Sequence, residues 1–490
     1  MPGVENDAPR DLLIDGRLVR PTGARTFEVE NPATAAVAGT APDADPADAR
    51  SAVTAARRAF DETDWSTDVE LRVRVLRQLD AALREHRDEL AELTTTEVGA
   101  PRASCATIQV DAPLDIVTWF ADLAETYEYR RDLGVRDTLG GPARRWVEQV
   151  PVGVVAAITP WNVPNQINLA KVVPALAAGC TVVLKPAPET PWTGLALGRI
   201  AAEHTDLPAG VLNVVTAADK AFGQLLTTDP AVDLISFTGS TATGPRVMEA
   251  AAANLTRVFL ELGGKSVHLV LDDVADMGTA AAHAAFGTAT VAGQGCALTT
   301  RVLLPRARYD EGLESIASMM SALSVGDPRD PGTVMGPLIS RAQLERVDGY
   351  VRGALDGGAR VVCGGQRIPD LPGWFYAPTL LADVDNSMAA AREEIFGPVL
   401  VAIPFDDDED AVRIANDSDY GLSGAVFADD RDRALAVARR IRTGTMSVNG
   451  GVWYGPDVPF GGFKRSGMGR EMGVEGFEEH LETRAFAEPA

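Results

Sequence analysis

Four short apolar runs, each closed by a polar or glycine-bearing turn and followed by a helix-compatible stretch, constrain this chain more than any other feature. Residues 152–158 are small, apolar and unbroken, and they end at Thr159-Pro160-Trp161-Asn162. Residues 181–184 end at Lys185-Pro186, residues 211–215 repeat the pattern, and residues 234–237 end at Thr238-Gly239-Ser240-Thr241. Unbroken runs of this length predict strands buried on both faces. Strands alternating with helices predict a parallel sheet. Ligands in such sheets sit at the carboxyl ends of the strands, so the residues of these turns are the first candidates for function. Helices are expected over residues 48–60 and 71–93, and a second α/β stretch from about Gly263 to Lys464. Residues 144–150 and 479–487 read as strands outside the two cores, placed to form a flap for oligomerisation.

At 490 residues the chain exceeds one ordinary core, and two or three domains are expected. Its formal net charge of -24 repels phosphates and anionic headgroups. Neither nucleic acid nor a membrane surface is therefore an expected partner. An anionic cofactor stays compatible if local donors hold it, such as N–H groups at a helix start or a single lysine. No run approaches the ~20 apolar residues of a membrane helix, and residues 1–9 are polar, with no secretory signal. Cys105, Cys180, Cys296 and Cys363 form no C-x-x-C pair, and the histidines are scattered. Neither a metal site nor a disulfide framework is expected, and the thiols fit a reducing cytoplasm.

One cysteine stands apart. Gly293-Gln294-Gly295 leads into Cys296, and glycines let a backbone approach a ligand closely. A thiol on such a loop can reach a bound carbonyl, although a lone cysteine beside an apolar run is more often inert core. Glu261 follows a strand-like run, Arg257 to Leu260, and precedes Leu262-Gly263-Gly264-Lys265. A carboxylate there can be held in a cleft without the chain closing over it; the commoner fate of a glutamate is to cap a turn at the surface.

These two segments resemble the signature motifs of the aldehyde dehydrogenase superfamily. Thr159 to Asn162 is similar to its oxyanion segment, Lys185-Pro186 to its cofactor lysine, and Phe237 to Thr241 with Gly244 to its phosphate turn. Glu393 to Pro398, Pro459 to Lys464, Ile14-Asp15-Gly16 and Asn31 to Thr34 resemble further family motifs, in the family's order, from about residue 12 to the C-terminus. The resemblance implies an α/β fold of two Rossmann-like parallel-sheet domains plus a small β oligomerisation flap. The dinucleotide-binding domain would span 1–131 and 152–262, the catalytic domain 263–464, and the oligomerisation segment 132–151 and 465–490. It also implies a homodimer or homotetramer acting on a small-molecule aldehyde.

The chemistry follows from those residues. Attack by a thiolate turns a planar carbonyl into a tetrahedral thiohemiacetal whose anionic oxygen can expel hydride toward a nicotinamide. Cysteine is strongly nucleophilic even as a few per cent thiolate. Asn162 would donate to the oxyanion, its other reading being an Asx turn before Pro164. Glu261, with its pKa raised by burial, would activate water against the resulting thioester. Relatives that pass the acyl group to coenzyme A tend to lack this glutamate, so hydrolysis to the acid is favoured over acyl transfer. A noncatalytic binding relative is the other alternative, and the joint presence of Cys296, Glu261 and Asn162 argues against it. By family analogy Thr159, Trp161, Lys185, Gly223, Gly239, Ser240, Glu394 and Phe396 would bind the cofactor. Lys185 also reads as a surface lysine, and Phe396 as core.

Three departures mark this chain within the resemblance. Pro188 stands where relatives preferring NAD often carry glutamate, with Glu189 one place later, so NAD is expected with NADP possible. The G-x-G stretch usual after the third strand reads Thr216-Ala217-Ala218-Asp219, and Gly223 alone remains. Val163 and Ala170 replace the aromatics common in the pocket; with Ala297, Leu298, Trp453 and Phe460 they imply a wide apolar pocket for an aliphatic, aromatic or terpenoid aldehyde.

Overall fold

A computed structural model describes residues 10–490; the reading of residues 1–9 lies outside them. Among the described residues the strands form four sheets. The first has eight strands, with a parallel core ordered Arg257–Glu261, Leu234–Thr238, Val154–Ile158, Thr181–Lys185, Leu212–Val214. Val154, Val155, Ala156 and Ala157 are fully buried, as a strand covered on both faces must be. The helix Pro164–Ala178 is likewise buried all round, the pattern of a helix inside a core. The chain leaves Val154–Ile158 in one direction through Thr181–Lys185 and returns on the other side at Leu234–Thr238. The crevice between those two sides is the topological switch point where such sheets bind ligands.

The second sheet has seven strands and starts its parallel core at Ser266–Val270, flanked by Thr299–Pro305 and Gly424–Phe427. Leu262 to Lys265 alone separates the last parallel strand of the first sheet from this one. The carboxyl end of one sheet and the amino end of the other therefore meet at Glu261. A buried guanidinium, Arg301, ties this end together by donating to the main-chain oxygens of Lys265, Ile414 and Ala415. The architecture is α/β with two Rossmann-like parallel-sheet domains.

Two expectations need correction. The helix expected over 71–93 is two helices, Val69–Glu85 and Arg87–Glu97, broken at His86. The His86 ring nitrogen lies 2.9 Å from the Ala82 oxygen and so competes with the main-chain ladder. The segment 465–490 also does not act as one unit with 132–151. Gly467–Met468 adds an edge strand to the first sheet, and Gly473–Glu478 packs on Pro164–Ala178 with Phe477 fully buried. Only Leu481–Pro489 joins Arg130–Thr138 and Gly141–Pro151 in a three-stranded antiparallel sheet. Phe477 and Met472 decide this, because burying them in the main core leaves only the residues after His480 free to run outward. Among the described residues no helix is long and apolar enough to cross a membrane.

Candidate active site

Asn162 follows the Val154–Ile158 strand, Glu261 ends Arg257–Glu261, and Cys296 precedes Thr299–Pro305. All three line one cavity of about 230 Å³. Asn162 is buried, and its Nδ2 donates to the Gln294 oxygen at 2.8 Å across the junction between the two domains. Its Oδ1 accepts no hydrogen bond among the described residues, which rules out the Asx-turn reading. Gln109 Nε2 donates to the Asn162 oxygen at 3.2 Å, and Asn165 Nδ2 donates to the Gln109 oxygen at 3.0 Å, so the segment is held from two sides. A side chain at Gly263 would strike the Glu394 carboxyl, and one at Gly264 would strike the main-chain oxygen of Cys296. Two glycines let the glutamate strand, the cysteine loop and the Glu394 loop converge. The cysteine loop itself is bent: Val291, Ala292 and Gly293 have φ of 52°, 53° and 72°. For the β-branched Val291 that conformation is strained.

Charged groups are buried around this cavity. Glu261 is 1% exposed, and neither carboxyl oxygen has a hydrogen-bond partner among the described residues. Burial pushes its pKa well above the usual carboxylate range, the Glu471 carboxylate adds to the shift, and Lys171 and Arg470 oppose it. Glu471 also lines the cavity and pairs at 3.0 Å with Lys171, which is fully buried and donates to Ser236 Oγ at 3.2 Å. The Cys296 side chain is partly exposed to the cavity. Burial first, and then the carboxylates of Glu261, Glu394 and Glu471, push its thiol upward. The resting sulfur is therefore a thiol.

Lys185 ends its strand buried at 3% exposure, with Nζ donating to the Pro186 oxygen at 3.3 Å, and burial lowers it to about 8. Glu394 Oε1 accepts from the Gly264 N–H at 3.0 Å, and burial raises that carboxyl to about 7. Trp161 and Phe396 meet edge to face, with centroids 5.3 Å apart.

A family model described as "Aldehyde dehydrogenase family" matches residues 18–486. The chain is 43% identical over 480 residues to a 3-succinoylsemialdehyde-pyridine dehydrogenase from a Pseudomonas species, covering 97% of this chain and 98% of the relative. It is 40% identical over 470 residues to the geranial dehydrogenase of Castellaniella defragrans, covering 95% of each. Its structure matches that of a Mycobacterium tuberculosis aldehyde dehydrogenase complexed with NAD+ at a TM-score of 0.93, with 43% identity and 98% of each chain covered. This chain belongs to the aldehyde dehydrogenase family.

Within this aldehyde dehydrogenase the residues singled out from sequence are placed unequally. Val163, Ala297, Leu298, Trp453 and Phe460 line the cavity, the last two aromatics stacked at 5.6 Å. Ala170 does not line it; it is 1% exposed within the first-sheet core, and Gln166 and Ile167, about one turn earlier, take the wall. The turn that resembles the family's phosphate turn is tied to the neighbouring strand, the Gly239 N–H donating to the main-chain oxygen of Glu261 at 3.0 Å. Ser240 is exposed ahead of the helix Gly244–Ala252, its hydroxyl 2.9 Å from that of Thr243. Gly223 opens a short helix above Ile158 and Lys185. Glu471, Lys171 and Gln109 were missed. Lys171 carried a signal, a single charge inside the otherwise uncharged run from Val163 to Ala178. Glu471, 300 residues away, carried none.

Proposed function

We propose that this enzyme oxidises neutral, apolar aldehydes to carboxylic acids through a thioester on Cys296. One observation carries the reading: Cys296, Glu261 and Asn162 open onto a single cavity whose wall is otherwise built mainly of apolar side chains. Substrate enters with its carbonyl carbon toward the Cys296 sulfur. The thiol proton passes, through water, to a carboxylate on the same cavity, and the sulfur–carbon bond forms. One Asn162 Nδ2 hydrogen is committed to Gln294, and the other is available to the oxyanion. The Gln294 bond holds that amide and the Gln109 bond holds the Asn162 main chain before substrate arrives, and such preorganisation makes an oxyanion donor effective. Oxidation of the adduct leaves an acyl thioester. Glu261, with both oxygens uncommitted, then takes a proton from the water that hydrolyses it.

The oxidant is a nicotinamide dinucleotide, which supplies the hydride acceptor when bound. The residues present fit it. Lys185 ends the strand Thr181–Lys185 beside the switch-point crevice, its Nζ having donor capacity to spare, and Glu189 follows on the same loop with Oε2 unpartnered among the described residues. Lys185, Glu394, Trp161 and Phe396 would hold it, and the NAD+ complex of the M. tuberculosis relative supports NAD as the cofactor.

The lining includes no arginine or lysine, and two glutamates, Glu261 and Glu471, lie within it. A carboxylate-bearing semialdehyde would meet repulsion without a counter-charge, whereas an apolar chain gains by burial. Geranial, named for one relative, is such a chain. The test is a panel of straight-chain, aromatic and terpenoid aldehydes with succinate semialdehyde, assayed with NAD and NADP by near-ultraviolet absorbance. Turnover of the apolar members without coenzyme A is expected; a coenzyme A requirement, or preference for the acidic substrate, would overturn the reading. We also infer that Leu133 and Val135, exposed on the three-stranded sheet, and Leu139, exposed in the turn after Arg130–Thr138, face a second copy in a homodimer or homotetramer, which light scattering measures.

A further inference from the structure

We propose that Gln166 reads a hydroxyl group carried by the substrate at a distance from its carbonyl, so that the preferred aldehydes are apolar chains bearing one neutral hydroxyl. The inference rests on the proposed oxidation of neutral aldehydes at Cys296 and narrows it. Gln166 lies in the first turn of the helix Pro164–Ala178 and lines the catalytic cavity beside Val163 and Ile167. It is 8% exposed, and its Oε1 is buried with no hydrogen-bond partner among the described residues. A buried amide oxygen left without a partner is costly, and native interiors keep few of them.

The other polar side chains of this helix are bonded to the protein. Asn165 Nδ2 donates to Thr94 Oγ1 at 2.8 Å, and Asn168 Oδ1 accepts from Thr159 Oγ1 at 2.7 Å. Lys171 pairs with Glu471. The remaining unpaired oxygens on the cavity wall belong to the reacting end. They are Asn162 Oδ1, both Glu261 oxygens and Thr238 Oγ1, and Thr238 is paired in register with Glu261. Thr290 Oγ1 donates to the Phe286 oxygen at 2.7 Å, and Tyr454 is exposed enough to meet solvent. Gln166 is thus left with an unmet acceptor that the chemistry at Cys296 does not use.

Its place along the helix separates it from the carbonyl. The helix begins two residues after Asn162, so Gln166 sits roughly one turn beyond the oxyanion donor, ~5 Å along the axis. A substrate whose carbonyl meets Asn162 brings a remote carbon, not the aldehyde, past Gln166. The wall beside it, Val163, Ile167, Ile108 and Leu298, offers apolar contact alone. A hydroxyl both donates and accepts, so it satisfies the amide oxygen and can accept from the amide hydrogens beside it. A ketone or ether oxygen only accepts and leaves Oε1 unpaired. A carboxylate only accepts as well, and brings a charge toward Glu261 and Glu471. A methyl group at the same place would seal Oε1 from water and give it nothing, the asymmetry by which a polar site rejects an analogue lacking the hydroxyl.

The experiment compares kcat/KM within matched pairs in which a terminal hydroxyl replaces a methyl group: 6-hydroxyhexanal against heptanal, 7-hydroxyheptanal against octanal, and 8-hydroxyoctanal against nonanal. Each pair is assayed with NAD for wild type, Gln166→Met and Gln166→Leu. In wild type the hydroxyl member of at least one pair should be favoured about tenfold, the worth of one hydrogen bond. In both variants that preference should fall to within about twofold of unity. Loss of folded enzyme lowers both rates of a pair equally, so the ratio reports recognition and not stability. A wild-type preference below about twofold in every pair, or a preference that survives both substitutions, would overturn the role of Gln166. If wild type oxidises no member of any pair, it is the underlying reading of the reaction that fails.

Discussion

Replacing Lys171 by methionine tests how the buried charges are balanced. Lys171 is fully buried and Glu471 is nearly so, and they pair at 3.0 Å. Removing the cation leaves a carboxylate inside a low-dielectric core, a change that costs about 3–5 kcal/mol when one partner of a buried pair is lost. For a chain of 490 residues that corresponds to a fall in melting temperature of about 3–5 °C. The same substitution removes a charge that holds the Glu261 pKa down. The Glu261 pKa therefore rises further. Because the ionised form is the base, the acid limb of the deacylation profile moves to higher pH. On that limb each unit of movement lowers the rate about tenfold. The assay pairs a thermal melt with single-turnover deacylation from pH 5 to 9. Lys171→Met/Glu471→Gln removes both charges, and it should recover most of the melting temperature and return the limb toward lower pH. A single variant that melts within ~1 °C of wild type, with an unmoved acid limb, would refute the reasoning.

Further predictions follow from the same geometry. Asn162→Ala should lower kcat by ~10²–10³ with little change in cofactor affinity, measured by steady-state kinetics beside calorimetry. Glu261→Gln should abolish the acid limb of deacylation, which in wild type lies above the ordinary value of 4.5 because the carboxyl is buried; hydride transfer should be slowed less, as a stopped-flow burst would show. Val163→Trp should fill the cavity wall and lower kcat/KM for terpenoid aldehydes at least ~10-fold, by the loss of a pocket's worth of apolar contact, while propanal is spared.

Much of this was legible in the chain itself, for identifiable reasons. Residues 154–158 and 234–238 are strands covered on both faces, so their apolar runs are unbroken and easily read. Cys296, Glu261 and Asn162 were found because each sits beside a turn or glycine pair at a strand end. Ala170 misled because it shares a helix face with Val163, Gln166 and Ile167 but lies a turn further along. Each turn advances ~5.4 Å, which carries it past the cavity into the core. The flap boundary depended on Phe477 turning inward, a tertiary choice that no local pattern announces. Glu471 reaches Lys171 across 300 residues, and the Gln109–Asn162–Gln294 chain likewise joins segments remote in sequence.

The most direct test is to quench Glu261→Gln during turnover of an apolar aldehyde with NAD and locate the acyl group by peptide mass spectrometry. The account predicts an acyl adduct that accumulates on Cys296 and disappears in Cys296→Ala. Acylation at Cys105, Cys180 or Cys363 instead, or undiminished oxidation by Cys296→Ala, would contradict it.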